Sequence, residues 1–120
     1  MANNLNSIFG AGLRSRVAVY VPGTMGPAEA DSAAAAAWAD RVAGELSALF
    51  GGAIIQPAAG AWVSADFGLI REAVNIVYAY CRPEDLEKYA EKIRDICVAV
   101  RDGMRQEAVS LEVNSTLHFI

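Results

Sequence analysis

The run REAVNIVYAY, residues 71–80, decides the fold predicted for this chain. Its largest side chains stand at every second position, and this period of two is typical of a β-strand. Turn residues at 64–68 separate the run from an apolar stretch at 53–63. The two segments predict a β-hairpin, and Pro57 and Gly60 predict a bend or a bulge in its first strand.

Strands and helices alternate on both sides of this hairpin. Upstream, alternating valines in 16–21 predict a strand, and the alanine-rich segment after it predicts a helix that ends at Phe50, before Gly51-Gly52. Downstream, apolar residues at spacings of three and four predict a second helix over 83–105. A strand at 109–113 then leads into a short terminal hairpin.

This order predicts an α+β fold of the ferredoxin-like βαββαβ type. Four antiparallel strands form the sheet, and two right-handed crossovers place both helices on one face, which leaves the other face open. We expect residues 16–120 to form this single domain, since a chain of 120 residues has the usual size of one domain. Residues 1–15 show no sustained period and predict a loosely ordered arm, whose apolar residues leave open a short helix that docks on a partner subunit.

Composition limits the partners of the chain. With 54% apolar and 20% charged residues it is expected to fold, and its net charge of −4, with scattered basic residues, disfavours nucleic acid. No apolar run approaches the ~20 residues of a membrane span, and the start lacks a secretory signal. Cys81 and Cys97 lie in apolar periodic segments, which indicates buried reduced thiols in the cytoplasm and no metal site. No cofactor motif is present, so none is expected.

A mixed polar face of the sheet is the candidate site. If the valines of the first and last strands pack beneath the helices, alternation places a set of polar side chains on the open face among small residues. Such a surface suits a flat partner, which is either a second copy of the chain or a bound ligand. The candidate ligand-binding residues are Tyr20, Trp62, Arg71, Asn75, Ser110 and Glu112.

Each of these side chains has an expected role. Arg71 would supply a planar cationic fork, and Asn75 and Ser110 would donate or accept orienting hydrogen bonds. The ring of Tyr20 or Trp62 would stack on the ligand. This chemistry favours a small ligand that is anionic or aromatic, such as a nucleotide.

Four short motifs carry a resemblance to a known group of proteins. They are Phe50-Gly51-Gly52-Ala53, Gly60-Ala61-Trp62, Arg71-Glu72-Ala73-Val74 and Gln106-Glu107-Ala108-Val109, with Glu112 after the last. Over residues 17–120 the chain resembles small ferredoxin-like βαββαβ proteins of bacterial mobile elements and phages, a group without an established activity. The resemblance implies a protein that acts by binding, because small acidic proteins of mobile elements often sequester a host signalling nucleotide or occupy a host protein.

The sequence thus favours a non-catalytic function. The main hypothesis is a homodimer or higher oligomer that binds or sequesters a small ligand. One alternative is a protein that binds and inhibits a host protein through the arm and the acidic surface of the second helix. The other is an enzyme of the dimeric α+β barrel type, in which His118, Tyr78 or Glu112 moves protons. An enzyme is less favoured, because no base in the sequence is paired with an orienting group.

Overall fold

The computed structural model describes residues 2–26 and 29–120, which form four helices and seven strands. The helices are α1 (Ala2–Phe9), α2 (Ser32–Phe50), α3 (Pro83–Lys88) and α4 (Ala90–Gly103). The strands are β1 (Ser15–Pro22), β2 (Thr24–Met25), β3 (Glu29–Ala30), β4 (Ile54–Ser64), β5 (Gly68–Cys81), β6 (Ser110–Val113) and β7 (Thr116–Phe119). None of the described helices is both long and apolar enough to cross a bilayer.

The main sheet has the predicted antiparallel topology. Its strand order is β4-β5-β1-β6-β7, with β1 paired to β5 on one side and to β6 on the other. The α+β prediction of the βαββαβ type is confirmed, and β7 is the strand that the predicted terminal hairpin adds at one edge. β2 and β3 form a separate two-stranded ladder after β1.

Helix α2 packs closely on the sheet because its buried face is built from small residues. The Asp31 side chain caps its start by accepting a hydrogen bond from the backbone N–H of Ala34 at 2.9 Å. Gly51 ends it in the left-handed conformation, with φ 88°. Ala35 and Ala39 are buried between these ends, so the helix axis lies near the strands beneath it.

The second predicted helix is divided in the structure. α3 begins at Pro83 as predicted, but the backbone leaves the helical conformation at Tyr89, with φ −105° and ψ 13°, before α4 begins. The ring of Tyr89 packs edge-on against Phe50 at the end of α2, with centroids 5.9 Å apart. This aromatic contact packs the break between α3 and α4 against the end of α2. The buried residues of α4 complete the core, and they include Ile93, Cys97 and Val100.

The β4–β5 hairpin extends beyond the body of the domain. β4 and β5 pair from Ile54 with Tyr78 to the turn, whereas β1 reaches only to Val74 of β5. The register runs without a bulge through Pro57 and Gly60, so the predicted break is wrong. β4 is an edge strand, where a proline is tolerated because its missing N–H need not serve the ladder.

Two glycines provide a test of the helix packing. A Cβ at Gly103, the end of α4, would overlap the ring of Trp38 in α2, whereas one at Gly44 in α2 would meet nothing within 4 Å. We expect Gly103→Ala to lower the free energy of unfolding by about 1–3 kcal/mol through overpacking. Gly44→Ala should raise it by about 0.5–1 kcal/mol, because alanine costs less backbone entropy in a helix. Urea denaturation measures both, and an unchanged midpoint for Gly103→Ala would contradict the described contact.

Candidate functional site

Strand pairing shows which side chains share the open face of the sheet. Residues directly opposite each other in antiparallel strands point to the same face. Tyr20 pairs with Ile76, Ala18 pairs with Glu112, and these positions alternate with the buried valines of β1. The open face therefore carries the even-numbered residues of β1, β4, β5 and β6. Tyr20, Ser110 and Glu112 lie on it, as predicted, and Trp62, whose orientation alternation left open, lies on it too.

Arg71 and Asn75 lie on the opposite face, and the prediction that they join Glu112 is wrong. Asn75 pairs with Val21, which is buried beneath the helices. Arg71 is four residues from Asn75 on the same strand, so its side chain also leaves the sheet on the helix side. There it is exposed, because the hairpin has already passed the end of the domain body.

The error has a physical cause in the composition of β5. Each face of this strand carries both apolar and polar side chains, with Arg71 and Asn75 on one face and Glu72 on the other, so alternation alone does not fix its orientation. The close approach of α2 does fix it, because only the smaller Val77 and Ala79 fit beneath the alanine face of that helix. The larger Tyr78 and Tyr80 are left on the open face.

Four residues form a polar cluster in the middle of the open face. We call Arg16, Tyr20, Tyr78 and Glu112 the sheet-face cluster. The Tyr20 hydroxyl donates to Glu112 Oε1 at 3.0 Å, and Arg16 Nε lies 3.7 Å from Glu112 Oε2. The Arg16 guanidinium also lies over the Tyr78 ring, 4.0 Å from its centroid. These contacts fix the Glu112 carboxylate and direct the Tyr20 hydroxyl.

The environment keeps Tyr20 protonated. Burial raises the pKa of the Tyr20 phenol, and the hydrogen bond to Glu112 and the charge of that carboxylate raise it further. The positive charge of Arg16 acts in the opposite direction and is the smallest of these effects. Tyr20 is therefore a hydrogen-bond donor across the physiological pH range.

A notch opens beside this cluster, where β1 ends and β5 continues. The chain turns out of the sheet at Gly23, whose N–H donates to the Ala73 carbonyl at 3.0 Å. A Cβ at Gly23 would stand 2.5 Å from that carbonyl oxygen, so the turn requires glycine. The resulting notch has a volume of about 340 Å³, and Tyr20, Glu72 and Ser110 are among the residues that line it.

Glu72 gives the notch its charge. Among the described residues that line the notch it is the only charged one, and it takes part in none of the ion pairs found in the described part of the chain. Trp62 Nε1–H donates to Glu72 Oε1 at 3.2 Å across the hairpin. The carboxylate thus has one hydrogen-bond donor and no opposite charge among the described ion pairs.

Gln106 holds the wall of the notch opposite the hairpin. Its side-chain amide lies within hydrogen-bond distance of three backbone carbonyls, those of Thr24, Gly26 and Met104, at 2.9, 3.0 and 3.1 Å. These contacts tie the loop after β1 to the end of α4. The notch therefore has walls that belong to the folded scaffold.

Four of the six predicted site residues come together around the notch. Tyr20 and Ser110 line it. Trp62 donates a hydrogen bond to Glu72, which also lines it, and Glu112 accepts one from Tyr20. Glu72 itself was missed by the sequence analysis. The hairpin prediction contained the signal, because a turn at 64–68 brings Trp62 across the ladder from residues 70–72.

Other reactive side chains lie elsewhere. Burial raises the pKa of the Cys97 thiol to about 11, so this cysteine is protonated at neutral pH and is a poor nucleophile. His118 pairs with the buried Leu111, which places it on the helix side of the sheet, away from Tyr78 and Glu112. The three residues considered for proton transfer in a barrel enzyme are therefore not gathered in one site.

Two solved structures share this fold over most of its length. Both are of a phage SAM lyase, one in the apo state and one in complex with S-methyl-5'-thioadenosine. The apo structure has a TM-score of 0.62 at 14% identity, and the complex has 0.59 at 15%. Each comparison covers 92% of this chain and 91% of the other. No protein-family model matches the chain, and no curated protein is significantly similar to it in sequence.

This finding contradicts the non-catalytic hypothesis. The structural neighbours are enzymes, whereas the sequence analysis favoured a module that binds a ligand without chemistry. The comparison does not favour the two alternatives either, a host-protein inhibitor and a dimeric α+β barrel enzyme. The phage source of the neighbours agrees with the resemblance to phage and mobile-element proteins.

The Tyr20–Glu112 contact can be tested by titration. We expect Glu112→Gln to lower the pKa of Tyr20, because the substitution removes the carboxylate that raises it. The alkaline absorbance change of tyrosine measures this, and a Tyr20→Phe chain identifies which step belongs to Tyr20. Identical curves for the wild type and Glu112→Gln would contradict the contact.

Proposed function

We propose that this chain is a lyase that cleaves S-adenosylmethionine at the notch on the open face of its sheet. The observation that carries the proposal is the isolated carboxylate of Glu72, the one charge among the described residues that line the notch. The likeness to a phage SAM lyase over 92% of the chain supports it. The ligand of that neighbour, S-methyl-5'-thioadenosine, is what remains of S-adenosylmethionine once its four-carbon side chain has been cut from sulfur.

The charge of the notch matches this substrate. S-adenosylmethionine carries a permanent positive charge on its sulfonium centre, and an uncompensated carboxylate attracts such a cation. The ligand expected from the sequence was anionic or aromatic, and the anionic expectation came from the placement of Arg71 on this face. With Arg71 on the other face and Glu72 in the notch, the local charge is negative and favours a cation.

Cleavage neutralises the sulfonium charge that the notch would bind. The bond between sulfur and the four-carbon side chain breaks, and its electron pair stays on sulfur, which leaves as a neutral thioether. As this bond breaks, either water takes a proton from the neighbouring carbon and a double bond forms, or the carboxylate of the substrate attacks the carbon that leaves sulfur and closes a ring. Both routes give S-methyl-5'-thioadenosine. Their second products, an unsaturated amino acid and a lactone, are isomers of equal mass, and proton NMR distinguishes them because only the first has vinyl protons.

Within the sheet-face cluster, Tyr20 is the residue that would contact the substrate. It lines the notch and donates its O–H to Glu112, so the hydroxyl oxygen is free to accept a hydrogen bond that orients the bound substrate. Arg16 neutralises Glu112 and keeps that second carboxylate on Tyr20. Glu72 is thereby left as the group that faces the sulfonium.

The test is to incubate the chain with S-adenosylmethionine and to measure S-methyl-5'-thioadenosine by chromatography. We expect Glu72→Gln to lower kcat/KM by roughly 10–100-fold, since one charge-assisted contact contributes about 1.5–3 kcal/mol. Glu91→Gln is the matched control, because Glu91 is an exposed carboxylate on α4 outside the notch, and it should retain the wild-type rate. No thioether product from the wild type, or a Glu72→Gln chain as active as the control, would contradict the proposal.

Self-association is part of the same proposal. The radius of gyration is 16.1 Å, against about 14 Å for a compact domain of this length. Large apolar side chains remain exposed on the open face, among them Trp62, Tyr80, Leu117 and Phe119. A homo-oligomer that covers them would place the notch beside a neighbouring subunit. We propose that residues 16–120 form the domain that associates, and that it works in the cytoplasm, where free thiols such as Cys81 and Cys97 stay reduced.

A further inference from the structure

In the described part of helix α1, no side chain is buried against the rest of the chain. Every residue from Asn4 to Arg14 is exposed, and the hydrogen bonds found there stay within the segment. Leu5, Ile8 and Phe9 form one face of the helix at spacings of three and four, and they are 59%, 63% and 80% exposed. The described part of α1 therefore presents an uncovered apolar stripe.

A helix of this kind requires a partner. α1 has eight residues, and isolated helices shorter than about 12–15 residues are marginal in water. Its stability therefore depends on burial of the apolar stripe. Gly10 and Gly12 follow it with φ 80° and 69°, and these left-handed turns direct the helix away from the body of its own subunit.

An apolar groove on the helix side of the domain has a suitable size. It lies between α3, α4 and the terminal hairpin, has a volume of about 450 Å³, and is lined by Leu86, Ile93, Leu111, Val113 and Ile120 among others. Charged side chains, including Glu87 and Arg94, stand at its rim. Residues 2–13 carry no charge, so an α1 segment can enter without burying an unpaired ion.

The total surface of the chain is large enough for a second copy to be the occupant. The accessible surface is 7650 Å², whereas a compact monomer of 12.7 kDa exposes about 6,200 Å². The excess of roughly 1,400 Å² exceeds the about 800 Å² per partner that a standard interface buries. Because arm and groove belong to the same chain, two copies can exchange them reciprocally, so this interface is satisfied between two subunits.

We infer that α1 is an exchange arm that packs Leu5, Ile8 and Phe9 into the groove between α3, α4 and the terminal hairpin of a second copy. The inference rests on the self-association proposed above and not on the reaction. The arm would bind on the helix side of the sheet, whereas the notch lies on the open face. The two activities therefore use different surfaces of the chain.

A disulfide trap tests the exchange. A chain with Phe9→Cys is mixed in equal amounts with a chain carrying Leu86→Cys, under mild oxidation with oxidised glutathione. The native Cys81 and Cys97 are buried with raised pKa values, so they stay unreactive. We expect a covalent dimer of mixed composition in at least tenfold excess over the control pair of Phe9→Cys with Leu69→Cys, which places the second thiol on the exposed hairpin instead.

The possible outcomes distinguish exchange of α1 from self-association in general. A disulfide within one chain of a dilute Phe9→Cys, Leu86→Cys double variant would show that α1 returns to its own groove, and would overturn the exchange. A wild-type chain that forms oligomers by light scattering but gives no mixed disulfide would keep self-association and overturn the arm. A wild-type chain of monomer mass at all concentrations would overturn both, while S-methyl-5'-thioadenosine production tests the reaction separately.

Discussion

The packing of the alanine face of α2 on β5 is the contact on which the rest of the structure depends. Ala35 and Ala39 bring the helix close to the sheet, and only Val77 and Ala79 fit in the space that remains. Once these two residues face the helix, alternation assigns every other residue of β5 and of its partners to a face. The open face then receives Glu72, Tyr78 and the aromatic side chains, and the proposed chemistry follows from that assignment.

A difference in strand length converts the open face into a site. β1 ends at Pro22, and β5 continues for six residues beyond the last position that β1 reaches. The space that a longer β1 would fill becomes the notch, closed on one side by the hairpin and on the other by Gln106 and Ser110. The protruding hairpin and the exposed helix α1 both contribute to the surface by which the chain exceeds a compact monomer.

The limits of prediction from the sequence follow from the same contacts. Alternation in 16–21, 71–80 and 109–113 and the helical spacing of the apolar residues were sufficient for the fold, because these patterns are local. The orientation of β5 was not, since each of its faces mixes apolar and polar side chains and only the tertiary contact with α2 distinguishes them. Arg71 and Asn75 were therefore assigned to the wrong face, while Tyr20, Ser110 and Glu112 were assigned correctly from strands with one valine face. The notch depends on the relative lengths of strands far apart in sequence, and no residue pattern reports it.

The most direct test of the central claim is to map where S-methyl-5'-thioadenosine binds, by following backbone amide NMR shifts during a titration with this compound. If the compound binds in the notch, the amide shifts should change most at Tyr20, Gly23, Glu72 and Ser110, and the shift of Glu91 should stay unchanged. Shifts confined to the helix side, at Asn75, Leu86 and His118, would contradict the claim, as would a spectrum that does not respond to the compound.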